Sequence, residues 1–370
     1  MKTRKLGTLD ETSLLGFGCM RFPVKEDGSI DEQEATRLLE YAYAHDVTYY
    51  DTAYPYHDEQ SELFLGKFLQ TKPRNSFYVA TKLPIYYVKS KEDVSRYFEE
   101  QLARLQVEYI DYYLIHALSN ERFDLVLQYD VLSVLEEYQK QGKIRHLGFS
   151  FHDEYQAFER IINAYPWQFC QLQLNYMDMD IQAGRKGYEL AKAKQIPVIV
   201  MEPVKGGTLA TLPPDLRALI DVDHADWSSA GFALRYVASY DYVQVVLSGM
   251  SSYEQVVDNI MTFADFEPMT QQDQVLVATI EQQLKSRIAV PCTNCQYCLP
   301  CPNGVAIPRN FRIFNEGYRF DNFTRSQWLY DQLEDSQKAS NCISCQECVP
   351  KCPQFINIPA ELERIRGVLK

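Results

Sequence analysis

No stretch of this 370-residue chain approaches the ~18 consecutive apolar residues that a membrane-crossing helix needs. The opening "MKTRKLGTLD" is basic without an apolar core, so no secretory leader is expected and a cytoplasmic location is. Cysteine is scarce for most of the length, the first 290 residues holding only Cys19 and Cys170. Basic stripes and basic–aromatic platforms are lacking, and the formal net charge is −13. Such a surface repels phosphate backbones, which speaks against nucleic acid as a partner. No Gly-x-Gly-x-x-Gly follows any apolar run, which disfavours a dinucleotide-binding open sheet, and no segment is of low complexity.

What is present is a rhythm. The composition, 46% hydrophobic and 24% charged, allows a sizeable buried core. From about residue 14 to 262, short apolar β-rich runs alternate with segments of helical spacing. The runs are "LLGFGCM", "VTYYDTA", "FYVATKL", "YIDYYLIHA", "RHLGFSF", "QFCQLQLNY", "IPVIVMEP" and "VQVVLSGM". Between them, "DEQEATRLLEYAYAHD" and "KEDVSRYFEEQLARLQ" place apolar residues at i, i+3, i+4 and i+7, with Asp31 and Ser90 where N-caps belong. Near-continuous apolar runs suit buried parallel strands. Eight alternations point to a (β/α)8 TIM barrel, with the open doubly wound sheet as the alternative. After residue 263 the rhythm stops. "DFEPMTQQDQVLVATIEQQLKSR" reads as a closing helix, so residues 1–285 are expected to form the barrel and 286–370 a small second domain.

In such a barrel the chemistry sits where strands end. Asp51 and Tyr56 follow the second run, Lys82 lies at the end of the third and His116 at the end of the fourth. Singly, each has an ordinary explanation: a turn cap, a solvated lysine, a hydrogen-bonded core histidine. Their placement at consecutive strand ends argues for a shared task. A tyrosine titrates near 10 and is a poor acid at neutral pH. A nearby lysine ammonium favours the phenolate, a carboxylate keeps the lysine charged, and a histidine can orient a carbonyl oxygen.

"DTAYPY", the "SE" that follows, "ATK" and "YLIH" together resemble the aldo-keto reductase family. The resemblance implies a (β/α)8 barrel that moves hydride between NAD(P)H and a carbonyl or alcohol. It gives Tyr56 the acid/base role, Lys82 the tuning of its pKa, Asp51 the pairing with Lys82, and His116 the carbonyl. By the same resemblance Ser150 in "LGFSFH" and Gln171 in "QLQLNY" contact the nicotinamide amide, although the family's usual Asn after the serine is Phe151. Met201 stands where many members place a tyrosine on the nicotinamide ring, with core packing as its other explanation. In "LSGMSSYEQVVDN", Gly249 and Gln255 occupy the places of a Lys and an Arg that hold the NADP 2′-phosphate in many members. Ser251 and Ser252 can still hydrogen-bond a phosphate, and Asn259 matches an adenine-side contact. The loss of both cations leads to the expectation that NAD is used at least as well as NADP.

The tail concentrates the remaining cysteines. Cys292, Cys295, Cys298 and Cys301 precede Pro302; Cys342, Cys345, Cys348 and Cys352 precede Pro353. A reducing cytosol disfavours disulfides, and zinc hooks use pairs of cysteines rather than evenly spaced triples. The pattern resembles a bacterial two-cluster ferredoxin, in which the last cysteine of each motif serves the other motif's cluster. That implies one [4Fe–4S] cluster on Cys292, Cys295, Cys298 and Cys352, and another on Cys342, Cys345, Cys348 and Cys301. The first motif's last spacing is short and the segment before Cys342 is long, so a single cluster is the alternative, and "RNFRIFNEGYRFDNF" suggests a helical insertion. Cys19 and Cys170 read as small core residues.

Hydride transfer moves two electrons and a [4Fe–4S] cluster passes one, a split ordinarily made by flavin. No flavin signature is present, and flavin stays open as a further cofactor. The clusters therefore fold the tail, pass electrons to an unseen flavin or an electron-transfer partner, or sense redox state. The leading expectation is an NAD(P)-dependent carbonyl reductase or alcohol dehydrogenase acting on a small molecule. The alternative is a redox sensor or electron carrier whose barrel binds nicotinamide without turnover. The βα loops do not identify the substrate.

Overall fold

The eight apolar runs become eight parallel strands of a closed barrel in a computed structural model that describes residues 1–370. They are β1 (Leu15–Gly18), β2 (Tyr49–Asp51), β3 (Tyr78–Leu83), β4 (Ile110–Leu118), β5 (Ile144–Phe151), β6 (Phe169–Gln173), β7 (Val198–Met201) and β8 (Val243–Ser248). Each pairs with the next in sequence, and β8 closes on β1 through Val246, Leu247 and Ser248. Both faces of these strands are covered, which is why they read as continuous apolar runs rather than alternating ones.

The connecting helices begin where the sequence signals them. In α1 (Glu32–Ala44) the Asp31 side chain accepts the Glu34 N–H. After α2 (Ser61–Leu69), α3 (Lys91–Leu105) opens with a reciprocal capping box between Ser90 and Asp93. The two-residue strands Thr3–Arg4 and Thr12–Ser13 pair antiparallel, an element too short to leave a periodic signal. The loop joining them buries Leu9 among Tyr49, Tyr112, Phe169, Ile199 and Val245 inside the barrel. Gln244 on β8 fastens this hairpin by donating to the Arg4 and Asp10 carbonyls. The plug closes the end of the barrel opposite the strand carboxyl termini. Cys19 and Cys170 are buried in the barrel's core, and burial raises both thiols, as befits inert packing residues.

The chain divides into two compact units, one of Met1–Gly206 with Ala230–Gln271 and one of Gly207–Ser229 with Gln272–Lys370. In the second unit, a helix at Pro214–His224 meets the long helix at Gln271–Ser286 through His224 Nε2 and Asp273 Oδ1, 2.6 Å apart. Beyond them, helices at Ile307–Phe320, Thr324–Asp331 and Ile358–Val368 enclose a core of Val305, Phe311, Phe314, Tyr330, Leu362 and Ile365. The expected helical insertion is thus the Ile307–Phe320 helix. "CPNGVAIP" and "CPQFINIP" launch the first and third of these helices, each with proline in the first turn, where its missing N–H costs nothing. No helix is long and apolar enough to cross a membrane.

Helix α2 lies against the end of α3 so closely that a Cβ on Gly66 falls 2.4 Å from the Arg104 carbonyl oxygen and 2.9 Å from Leu105. Glycine is required there for close approach, not for an unusual φ. Replacing Gly66 by Ala should destabilise the barrel by about 1–3 kcal/mol, seen as a lower denaturant midpoint at constant slope. Helix propensity alone predicts the opposite sign, a gain of about 1 kcal/mol, so the direction of the shift decides which effect rules.

Candidate active site

Asp51 is the last residue of β2, Lys82 lies near the end of β3, and His116 sits in the last turnward stretch of β4. The barrel brings these three carboxyl ends side by side. Tyr56 follows β2, and three successive left-handed residues, His57, Asp58 and Glu59 (φ 52, 50 and 67°), then turn the chain into α2. Lys82 Nζ donates to Asp51 Oδ1 at 2.7 Å and to the Thr52 carbonyl at 2.6 Å, and both side chains of the ion pair are almost wholly buried. The same nitrogen stands 5.0 Å from the centre of the Tyr56 ring. The His116 ring meets Tyr56 edge-on at 6.0 Å. The four residues named from the sequence therefore form one cluster. Tyr86, from the loop after β3, joins it with its hydroxyl 3.2 Å from His116 Nδ1.

The electrostatics define the resting proton inventory. Burial works against the Lys82 ammonium, but Asp51 and Tyr56 outweigh it and hold the lysine above its ordinary pKa. Burial also raises Asp51, with Lys82 opposing. Burial raises the Tyr56 phenol, and Lys82 only partly offsets it. The phenol is thus protonated at rest; the lysine lowers its pKa relative to what the site alone imposes, not below the free value. His116 is driven well below the usual histidine range by burial and then by Lys82, so its imidazole is neutral. The cluster holds a proton on the tyrosine, a fixed positive charge beside it, and a neutral ring facing both.

Beneath Lys82 lies a network built from Glu62 and Thr81 of the "SE" and "ATK" motifs, together with Gln101 and Tyr113, whose part in it the sequence does not signal. Glu62 on α2 is completely buried and accepts from Thr81 Oγ1 and Gln101 Nε2, both at 2.6 Å. Gln101 also donates to the Lys82 carbonyl at 3.1 Å and accepts from the Tyr113 hydroxyl at 2.7 Å. Arg104 is 3.7 Å from Glu62 Oε2, which has no hydrogen-bond partner. Burial, opposed by those hydrogen bonds, pushes Glu62 up to about 7.

Ser150, Gln171 and Met201, the residues expected to meet a nicotinamide, lie toward the ends of β5, β6 and β7. Gln171 is buried, and its Oε1 has no partner, an acceptor left for an amide N–H. Its Nε2 points to Met201 Sδ at 3.6 Å, so the methionine orients this amide. Ser150 Oγ accepts the Ala117 N–H at 2.7 Å. Phe151 packs on Phe158 and supplies no polar contact. At the other end, Ser252 caps the helix Tyr253–Ala264, Ser251 Oγ donates to the Arg21 carbonyl at 2.8 Å, and Asn259 donates to Ser248 Oγ at 2.8 Å. The Arg21 side chain lies over Gly249, its Cβ, Cγ and Cδ all 3.1–3.2 Å from where a Cβ would stand. The segment that lacks its own cations is therefore flanked by one from the loop after β1, more than two hundred residues away in sequence.

In the second unit, Cys292, Cys295, Cys298 and Cys352 line one pocket with Phe311, Ile356 and Ile358. Cys348 lies close enough to Cys342, Cys345 and Cys301 to feel their charge. Each group joins three cysteines of one motif to the last cysteine of the other.

Residues 14–281 match the Aldo/keto reductase family, and residues 291–357 match the 4Fe-4S dicluster domain. L-galactose dehydrogenase of Arabidopsis thaliana is 26% identical over 306 residues, covering 77% of this chain and 95% of that protein. A probable aldo-keto reductase of Glycine max is 34% identical over 155 residues, 40% of this chain and 44% of the relative. An aldo-keto reductase of Bacillus halodurans in its holo form superposes with a TM-score of 0.64 at 26% identity, over 75% of this chain and 96% of that one. One from Klebsiella pneumoniae, solved with NADPH, gives 0.62 at 21% identity, covering 76% and 95%.

Glu62 yields a pH prediction. Its folded pKa of about 7 lies above the ordinary 4.5, so its charging opposes folding. The chain should lose stability as pH rises from about 4.5 to 7 and level off above, by up to about 3 kcal/mol from this group. Glu62→Gln should remove that slope, so that its stability relative to the native chain improves from pH 5 to pH 8. Parallel pH profiles of the two thermal midpoints would show that the network has another titrating centre.

Proposed function

The chain belongs to the aldo/keto reductase family, and on that premise we propose that it reduces the carbonyl of a small molecule with NAD(P)H, Tyr56 giving the proton. The observation that carries the reading is the buried Asp51–Lys82 pair set under the ring of Tyr56, with neutral His116 facing it. A carbonyl oxygen placed between Tyr56 and His116 can accept a hydrogen bond from each. The cofactor, when bound, supplies a hydride to the carbonyl carbon. As the C=O π pair moves onto oxygen, the Tyr56 O–H proton is taken up there and the phenolate left behind is stabilised by Lys82. The product is the alcohol, and the oxidised nicotinamide is the other. Gln171 and Ser150 hold the nicotinamide amide, with Met201 orienting Gln171. Arg21 adds a guanidinium to the Ser251–Ser252 segment, which favours acceptance of NADPH as well as NADH; the NADPH complex of the Klebsiella pneumoniae protein supports this.

We further propose that the tail holds two [4Fe–4S] clusters. Cys292, Cys295, Cys298 and Cys352 would hold one, and Cys342, Cys345, Cys348 and Cys301 the other, supported by the shared pocket and by the proximity of Cys301 to Cys348. The module gives the second unit a covalent framework.

Tyr56→Phe should lower kcat for aldehyde reduction by about 10²–10⁴-fold and leave the cofactor dissociation constant within about threefold. Turnover near the native rate would sink the acid/base assignment. For the tail, Cys301→Ser should cut bound iron from about eight to about four atoms per chain in anaerobically prepared protein, with a matching loss of visible absorbance. Full iron content in that variant means that Cys301 is not a ligand.

A further inference from the structure

Arg122 stands out among the groups around His116. It lies in the first turn of the helix Asn120–Gln128, where Ser119 Oγ accepts its N–H at 3.2 Å. Its Nη1 donates to the carbonyl of Ala117, the residue directly after His116, at 2.7 Å. Ala117 takes a left-handed conformation (φ 51°) at the irregularity between Ile115 and Leu118, which turns its carbonyl toward the helix start. The guanidinium carbon rests 5.3 Å over the ring of Tyr86, whose hydroxyl reaches His116. Carbonyl and ring thus fix the guanidinium on two sides and leave other N–H groups uncommitted.

No carboxylate pairs with Arg122. Of the other charges nearby, Lys82 is matched by Asp51, and Glu202 acts on His152, which also feels Arg122 and Lys82. His116 and Tyr86 feel the Arg122 charge as well. A half-buried guanidinium held rigidly without a counter-ion is costly, and the cost is relieved when a ligand brings an anion. The rigid planar fork matches a carboxylate.

We propose that Arg122 receives a carboxylate of the carbonyl substrate, so that the preferred substrates are oxo acids or aldehyde acids. This rests on the carbonyl-reductase reading of the same site. The carboxylate takes no part in the bond changes: hydride still reaches the carbonyl carbon and the Tyr56 proton the oxygen. Arg122 sets which carbonyl compounds are held there.

The test compares para-carboxybenzaldehyde with benzaldehyde on the full-length holoprotein. The native protein should show kcat/KM higher by about 10- to 100-fold for the acid, mostly through KM, as one charge-assisted contact allows. In Arg122→Gln that ratio should fall toward one, and Arg122→Lys, which keeps the charge but not the fork, should recover part of it. Calorimetry of para-(hydroxymethyl)benzoate binding to the protein loaded with reduced cofactor, a pair that cannot react, should show the same order without relying on turnover. A native ratio near one, or an equal loss for both aldehydes in Arg122→Gln, overturns the proposal. If neither aldehyde is turned over, carbonyl reduction is the reading that fails. Calorimetry then decides the carboxylate site alone: undiminished binding in Arg122→Gln rejects it.

Discussion

The site depends on one buried ion pair. Asp51 and Lys82 give up hydration inside the barrel, at a cost of several kcal/mol per ion unless geometry and further hydrogen bonds recover it. Recovery here comes from a 2.7 Å contact and from the Thr52 carbonyl, both supplied by strand ends whose separation the barrel fixes. Asp51 Oδ2 is buried without a partner, so the recovery is incomplete. An ion pair kept for stability alone could be exchanged for apolar residues at little loss. The proposed function gives the pair a purpose through what sits above it: a phenol whose ionisation would need a fixed positive charge close by. The Glu62 and Gln101 network below serves the same end, since Gln101 holds the carbonyl of the residue that bears the ammonium.

How much of this is legible in the sequence follows from how local each signal is. All eight strands are readable because burial on both faces writes a continuous apolar run, and Asp31 and Ser90 are readable because capping is decided within four residues. The tetrad is readable as candidates because a barrel sends every strand end to one face, so three consecutive strand ends become neighbours by topology alone. The cysteine motifs are local too. Arg21 over Gly249, Tyr86 on His116 and Arg122 on Ala117 are different: each depends on loop conformation, including a left-handed residue at Ala117 that no spacing rule anticipates. The missing Lys and Arg at positions 249 and 255 are legible in the segment itself, whereas the Arg21 side chain over Gly249 is invisible to a reading confined to that segment. The hairpin that plugs the barrel, with two residues per strand, lies below the length at which alternation can be detected.

The second unit poses a question of electron count rather than of packing. Its cysteines sit in mirrored settings, each Cys-Pro leading through a short loop to an Ile-Pro helix start, and the helices so launched supply the apolar core on which the motifs rest. That core is modest, and cluster ligation adds cross-links that small domains of this kind need. A structural duty thus has a physical basis within the unit itself. An electron-transfer duty needs, in addition, a group able to divide a hydride's electron pair, which nicotinamide chemistry on the barrel does not provide.

The charge pattern around His116 ties catalysis to recognition. Its ring is buried and flanked by Lys82, Arg122 and His152, all of which disfavour adding a proton to it. On the proposed reading, a neutral imidazole leaves Tyr56 as the proton donor in the site, since a charged histidine beside it would compete for that role. Under the proposal Arg122 has two roles: its charge helps to keep His116 neutral, and its unmatched guanidinium offers a place for an anion. A bound carboxylate would screen that charge and ease the pressure on His116, while Lys82 and burial, the two larger influences, persist. Substrate binding can then neutralise the arginine without reassigning the proton, which is the condition for one pocket to select an acidic substrate and still reduce it through Tyr56.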